Sequence, residues 1–110
     1  MAAGLVIVAA DLGDRLADLE PIGLDERGTT RLQWTPEDAA AGEWFQARAS
    51  EIDPAGNRWA VPDTPPPWWG VGSHLDSVRT GGRYDGALGV CAAFAIAEHA
   101  PVAVVAFADE

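Results

Sequence analysis

Basic residues, cysteines and long apolar runs are all scarce in this chain of 110 residues. Seven basic residues stand against 17 acidic ones, which gives a formal charge of −10 at pH 7. Because phosphate recognition needs clustered Lys and Arg, we expect neither nucleic acids nor anionic membrane surfaces as partners. The single cysteine, Cys91, excludes an internal disulfide and is typical of a reducing compartment. The acidic excess suits a cation site, although it mainly provides solubility.

The N-terminal segment has neither the charge nor the length of a targeting signal. Its first basic residue is Arg15, and its apolar run covers only residues 5–10. No stretch of the sequence approaches the roughly 18 consecutive apolar residues that span a bilayer. We therefore expect a cytoplasmic protein without a membrane partner.

The first half of the chain predicts two helices within a single small domain. Leucines at steps of three and four predict a helix over Leu5–Leu19, and Asp25–Thr30 is expected to be a loop. Thr35 as N-cap and Pro36 at the first helical position predict a second helix that extends to about Ala49. The apolar content of 48% is sufficient for a core around these helices.

The middle of the chain predicts a turn, a strand and a rigid connector. Asp53–Asn57 has the composition of a tight turn, and Arg58–Val61 that of a short strand. Pro62–Pro67 contains four prolines and is therefore expected to be extended rather than helical.

The last third of the chain predicts a βαβ unit at about residues 68–108. Two apolar strands, Trp68–Gly72 and Val102–Ala108, flank a helix over Gly86–His99. Fourteen helical residues span about 21 Å and seven strand residues about 23 Å, lengths that suit a crossover between parallel strands. We therefore predict an α/β fold with a mostly parallel sheet and flanking helices. The predicted inward stripe of the helix comprises Leu88, Cys91, Ala92, Ala95 and Ile96.

The residues best suited to chemistry follow the two strands of this unit. His74 and Asp76 leave the first strand, and Asp109 and Glu110 leave the second. Ligands of open α/β sheets bind beyond the carboxyl ends of the strands, and an imidazole with two or three carboxylates suits Zn²⁺ or Mn²⁺. Asp85 lies at the predicted N-cap of the helix. The alternative is that Asp85 only caps this helix and that His74 is an ordinary loop histidine.

Two long motifs carry a family resemblance: GSHLDSVRTGGRYDGALGV at residues 72–90 and VAVVAFADE at residues 102–110. Together they closely resemble motifs of the M20 family of metal-dependent amidohydrolases, in the carbamoylase and allantoate amidohydrolase branch. Upstream matches are Thr30-Arg31-Leu32, Thr35-Pro36-Glu37-Asp38 and Asp53 with Gly56-Asn57. The interval from His74 to Asp85 is shorter than in the peptidase branches, which favours amide and ureido substrates over peptides.

The resemblance implies a role for each candidate residue. His74 would bind one of two divalent ions, zinc or manganese, and Asp85 would bridge both. Asp76 would hold the His74 imidazole in its ligating tautomer, and Glu110 would be the general base toward the metal-activated water. The remaining ligands and the substrate-binding residues would lie beyond residue 110. We therefore expect residues 1–110 to be the N-terminal part of a truncated catalytic domain, whose full-length parent dimerises through a lid domain absent here.

The leading hypothesis is a metal-dependent hydrolase of linear amides, acting on an N-carbamoyl amino acid or on allantoate. One alternative is an aminopeptidase-like enzyme of the same family, and the other is a catalytically silent metal-binding fragment. The interval from Ala49 to Asp53 is shorter than is usual in the family, so the first sheet strand is expected to be missing or stunted.

Other polar and aromatic side chains have simpler interpretations. Cys91 is expected in the core, and His99 at a helix C-terminus. Core packing is favoured over a pocket-lining role for Trp68 and Trp69. The two arginines that flank the glycine turn are interpreted either as partners of the acidic site or as ordinary surface residues; they are Arg79 and Arg83.

Overall fold

The computed structural model describes residues 9–48 and 50–109, which form three helices and six strands. The predicted helical residues 5–8 lie outside the described part, as does Ala49. None of the described helices is both long and apolar enough to cross a membrane. The elements are α1 Ala9–Leu19, β1 Leu24–Asp25, β2 Gly28–Thr29, α2 Pro36–Gln46, β3 Ser50–Ile52, β4 Arg58–Ala60, β5 Trp69–His74, α3 Ala87–Ala97 and β6 Val102–Phe107.

The main sheet has four strands in the order β3-β4-β6-β5. β5 and β6 pair in parallel, from Trp69 opposite Val102 to His74 opposite Phe107, so the predicted βαβ unit is confirmed. β4 is antiparallel to both β3 and β6. The sheet is therefore mixed, and the prediction of a mostly parallel sheet is wrong. A short hairpin joins β3 to β4, and tight connections of this kind join only antiparallel strands.

The Asp53 carboxylate organises the turn of this hairpin. Its Oδ1 accepts hydrogen bonds from the backbone N–H of Ala55 at 2.9 Å and of Asn57 at 3.0 Å. Its Oδ2 accepts from Asn57 Nδ2 at 3.1 Å and from Trp59 Nε1 at 2.9 Å. The bond from Trp59, followed by those from Asn57 and Ala55, lowers the pKa of Asp53. The predicted turn is confirmed, and the stunted first strand is present as the three residues of β3.

The start of α2 also follows its sequence signals. The Thr35 side chain accepts from the backbone N–H of Asp38 at 3.3 Å, and Pro36 is the first helical residue. The Asp38 carboxylate accepts from the N–H of Trp34, the residue before the N-cap, at 3.2 Å. Thr35 is therefore confirmed as the N-cap of this helix.

One apolar core joins the three helices to the face of β6 that carries Val102, Val104 and Ala106. Phe45 and Phe94 are its aromatic centre, with ring centroids 5.0 Å apart. Cys91 is buried in this core, as predicted. The predicted stripe of α3 is wrong in part, because Leu88 is exposed whereas Val90, Ala93 and Phe94 are buried. α3 contains no charged residue, so its sequence has no polar face to indicate its rotation.

The segment at Asp25–Thr30 is not a plain loop. β1 and β2 form a two-stranded hairpin, in which Leu24 lies opposite Thr29 and Asp25 opposite Gly28. Thr29 also exchanges backbone hydrogen bonds with Gly81, at 2.8 and 2.7 Å. The hairpin therefore reaches the loop between β5 and α3, which carries the candidate site residues Asp76 and Asp85.

Candidate metal centre

The candidate site lies at the carboxyl ends of the parallel strands β5 and β6. Because His74 is opposite Phe107 in the register, the segments that follow both strands emerge at the same edge of the sheet. The backbone N–H of Asp109 donates to Gln33 Oε1 at 2.8 Å, which anchors the segment after β6. Glu110, the predicted general base, lies outside the described residues, so its role stays a prediction.

The His74 imidazole is held by the backbone of Asp76. Its Nδ1 lies 2.7 Å from the Asp76 carbonyl oxygen and 3.5 Å from that residue's carboxylate Oδ1. A carbonyl oxygen can only accept, so Nδ1 carries the proton and the neutral ring has its lone pair on Nε2. The contact involves the predicted residue, Asp76, through its main-chain carbonyl, and the role predicted for the Asp76 side chain stays a prediction.

Asp85 faces the other nitrogen of this ring. Its Oδ1 lies 3.7 Å from His74 Nε2, and its Oδ2 accepts from the Val78 N–H at 3.0 Å. The N-cap of α3 is Gly86, with φ of 69° and no side-chain capping bond, so the prediction that Asp85 occupies the N-cap is wrong. The Asp85 carboxylate thus bonds the loop at Val78 and faces the imidazole, and α3 begins without a side-chain cap.

His74 and Asp85 provide two donors that fit a divalent metal. Two ligand atoms about 2 Å from one tetrahedral ion are about 3.3 Å apart, close to the observed separation of 3.7 Å. A lone pair on a neutral imidazole and a carboxylate oxygen are the donor types that Zn²⁺ and Mn²⁺ accept. Among residues 9–48 and 50–109, however, no group of three or more His, Cys, Asp and Glu side chains is arranged to hold an ion.

The buried residue Asp76 is one of those that line a cleft of about 340 Å³. The cleft lies between the loop before α2 and the loop after β5. Its lining residues are Leu32, Gln33, Trp34, Asp76, Ser77, Val78 and Asp109.

A buried arginine compensates the negative charge around the site. Arg31 is 2% exposed, and burial lowers its pKa while Asp38, Asp76 and Asp85 act in the opposite direction. Burial also raises the pKa of Asp38, which has the carboxylate of Asp76 nearby. Sequence reasoning assigned no role to Arg31, because its motif neighbours do not indicate that its side chain turns inward.

The remaining candidates lie away from the site. Trp69 is 82% exposed, so the prediction of core packing is wrong for it, whereas Trp68 is partly buried and lines a separate cleft. Arg83 pairs with Glu20 at 2.6 Å rather than with the site carboxylates. His99 is exposed just beyond the end of α3.

Two relatives align with most of the chain. An N-carbamoyl-L-amino acid amidohydrolase of Geobacillus stearothermophilus is 36% identical over 120 aligned positions, covering 90% of this chain and 29% of that protein. An N-carbamoyl-L-amino-acid amidohydrolase of Paenarthrobacter aurescens is 40% identical over 87 positions, covering 71% of this chain and 21% of that protein. No protein-family model matches the chain.

Solved structures agree with these relatives. An amidase of the hydantoinase/carbamoylase family from Burkholderia phymatum has a TM-score of 0.78 and 29% identity, covering 99% of this chain and 31% of that one. An amidase of the same family from Burkholderia vietnamiensis has a TM-score of 0.77 and 27% identity, covering 100% and 31%.

The fold and these likenesses identify the chain as a homologue of amidohydrolases. More particularly, it is homologous to the N-carbamoyl-L-amino acid amidohydrolases and to the hydantoinase/carbamoylase family of amidases. The resemblance seen in its motifs is thereby confirmed. The chain spans between about a fifth and a third of the length of the relatives it matches.

Proposed function

We propose that the protein carrying this chain is a metal-dependent hydrolase of linear amide or ureido C–N bonds, with an N-carbamoyl amino acid or allantoate as the type of substrate. The observation that supports this proposal most directly is the approach of His74 Nε2 to Asp85 Oδ1, at 3.7 Å, in a chain homologous to N-carbamoyl-L-amino acid amidohydrolases. The pair lies at the carboxyl ends of parallel strands, where α/β folds bind ligands.

Each residue of the site has a distinct task in this proposal. His74 through Nε2 and Asp85 through Oδ1 would hold a divalent metal, with Asp85 shared by two ions of zinc or manganese. Such ions would lower the pKa of water and polarise a carbonyl group. Asp76 keeps the His74 lone pair on Nε2, and Glu110 accepts the proton of the attacking water. The same proton can then pass to the leaving nitrogen when the C–N bond breaks.

Two further parts of the proposal concern the whole protein. The family resemblance supports a homodimer assembled through a lid domain. The single cysteine, buried as a free thiol, supports a reducing compartment such as the cytoplasm.

Metal-dependent turnover tests this function. The protein, loaded with Zn²⁺ or Mn²⁺, should hydrolyse N-carbamoyl-L-amino acids or allantoate, and chelation should abolish the activity. Asp85→Asn should lower kcat at least about 100-fold, because the neutral amide is a poor metal ligand although it can still accept from the Val78 N–H. The control is Asp63→Asn, an exposed carboxylate in the connector, which should leave kcat unchanged.

Three results would contradict the proposal. Faster cleavage of dipeptides than of carbamoyl amino acids would establish an aminopeptidase-like enzyme. Equal turnover by the wild type and Asp85→Asn, or no metal binding by calorimetric titration, would favour a catalytically silent module.

A further inference from the structure

Arg31 is buried between two segments that meet next to the candidate metal centre. It is only 2% exposed, and a buried guanidinium is costly to desolvate unless its N–H groups are hydrogen-bonded. Its Nε donates to the Leu75 carbonyl at 2.6 Å. Its Nη1 donates to the carbonyls of Leu19 at 3.1 Å and Ile22 at 2.9 Å. The side chain therefore ties the C-terminal end of α1 to the residue directly after His74.

The main chain of Arg31 holds the same loop at a second point. Its N–H donates to Ser77 Oγ at 2.8 Å, and its carbonyl accepts from the Ser77 N–H at 2.7 Å. Ser77 Oγ also lies 3.2 Å from the Thr29 carbonyl and 2.9 Å from the Val78 carbonyl, the two acceptors within reach of its hydroxyl proton. Arg31 thus anchors Leu75 and Ser77, the two residues that flank Asp76.

The anchored residue between them carries the acceptor of the His74 ring. Asp76 presents its carbonyl oxygen to His74 Nδ1 at 2.7 Å, and a shift of this carbonyl would release the constraint on the tautomer. We propose that Arg31 is a positioning residue that fixes the Asp76 carbonyl and so keeps the His74 lone pair on Nε2, directed at Asp85. The purpose of this arrangement rests on the proposed metal-dependent function, but the arrangement itself does not require bound metal.

Charge and hydrogen bonding at Arg31 can be separated by substitution. Asp38, Asp76 and Asp85 surround Arg31, so loss of its charge would change the repulsion among carboxylates as well as the loop geometry. Arg31→Lys keeps the positive charge but loses the planar fork that reaches Leu75 and α1 together. A change in His74 in this variant therefore reports on positioning.

The first measurement is the nitrogen-15 spectrum of the imidazoles in the full chain, recorded without metal at a pH where both histidines are neutral. In the wild type His74 should show a single tautomer with the proton on Nδ1. In Arg31→Lys it should show a mixture of both tautomers. The exposed His99 is the second histidine of the chain and serves as an internal reference that does not change.

The second measurement is calorimetric titration of the chain with Zn²⁺, in which Arg31→Lys should bind about 10-fold more weakly. The matched control is Arg48→Lys. Arg48 also donates to a backbone carbonyl, that of Trp44 at 2.7 Å, and stacks on its ring, but it lies away from the site. Arg48→Lys should lower the Tm and leave both the His74 spectrum and the Zn²⁺ affinity unchanged.

A single Nδ1–H tautomer in folded Arg31→Lys would overturn the proposal and leave Arg31 a residue of stability alone. If Arg31→Lys does not fold, Ser77→Ala decides, because it removes only the hydroxyl of the second anchor: a tautomer mixture supports the proposal, and an unchanged spectrum overturns it. Absence of Zn²⁺ binding by the wild type would contradict the proposed function instead, since the spectrum of the metal-free chain still tests Arg31.

Discussion

His74 presents one ring nitrogen to the Asp76 carbonyl at 2.7 Å and the other toward Asp85 at 3.7 Å. The first contact determines the tautomer, and the second determines which atom the lone pair faces. Side chains of the same types two residues apart in an extended strand would not establish either contact. At the scale of residues, hydrogen bonds to the main chain therefore prepare this histidine for its proposed role.

Asp53 is a second residue whose carboxylate accepts several hydrogen bonds, from main-chain and side-chain donors, and its effect on stability is predicted to depend on pH. Hydrogen bonds from Trp59, Asn57 and Ala55 lower its pKa. A lowered folded pKa confers stability that is fully present above the unfolded value, about 3.9, and is lost as the pH falls through the folded pKa. Asp53→Asn should therefore lower the Tm at pH 7 and lose this difference in acid.

Thermal melts of wild type and Asp53→Asn between pH 7 and pH 2 would measure this dependence. Asp63→Asn provides the control, because its exposed carboxylate has no such set of donors among the hydrogen bonds of the described residues. A Tm difference that grows toward acid would contradict the assignment.

At the scale of elements, the start of α3 is adapted to the site rather than to the helix. Gly86 occupies the N-cap with φ of 69°, and a Cβ there would lie closer than 3.0 Å to the His74 carbonyl and ring. A capping residue such as Ser or Asp would stabilise the helix but would not fit this approach. α3 therefore begins without a side-chain cap, and the glycine at this position allows the start of α3 to lie close to His74 at the end of β5.

Gly86→Ala should destabilise the chain by at least about 1 kcal/mol, because an L-residue is strained at positive φ, and should also displace His74. Urea unfolding measures the loss of stability, and Zn²⁺ titration measures the displacement of His74.

Gly13→Ala is the control with the opposite expected effect, because nothing lies within 4 Å of its Cβ position in the middle of α1. It should stabilise the chain by about 1 kcal/mol. Equal effects of the two substitutions would refute this account of Gly86.

At the scale of the whole molecule, one apolar cluster joins the helices to the sheet, and Cys91 lies within it with no measurable exposure. Burial raises the pKa of the Cys91 thiol to about 11. At pH 8 the native thiol is therefore ionised on the order of 100-fold less than a free cysteine, and the reagent must also wait for the core to open. Cys91 is expected to report on global unfolding.

Alkylation of Cys91 at pH 8 should be slow in buffer and should accelerate with urea. The urea concentration at the midpoint of this acceleration should match the midpoint of the unfolding transition measured by tryptophan fluorescence. The exposed-thiol reference is the double variant Ala17→Cys, Cys91→Ser, which places its only thiol on the outer face of α1. This reference should react rapidly at every urea concentration. Rapid alkylation of native Cys91 would show that the core is not closed around α3.

Local signals in the sequence were enough for several elements. The Thr35-Pro36 start of α2, the Asp53 turn and the βαβ unit depend on short-range chemistry or on period, and all three are confirmed. The sequence predictions were wrong where the structure depends on distant residues. Because α3 is fully apolar, its sequence does not indicate which of its sides faces the core. The antiparallel pairing of β4 with β6 depends on residues more than forty positions apart.

The sequence by itself indicated the family resemblance, which the relatives bear out, and the edge of the sheet at which His74 and Asp76 lie. The motifs are a property of the sequence itself, and the parallel pairing of β5 and β6 follows from their strand–helix–strand order along the chain. Only the tertiary structure decided which atoms meet: the Asp76 carbonyl with His74, the Asp85 carboxylate with His74 and the Val78 N–H, and buried Arg31 between α1 and the site loop. Such contacts depend on packing among distant segments, and packing decides which way a side chain turns.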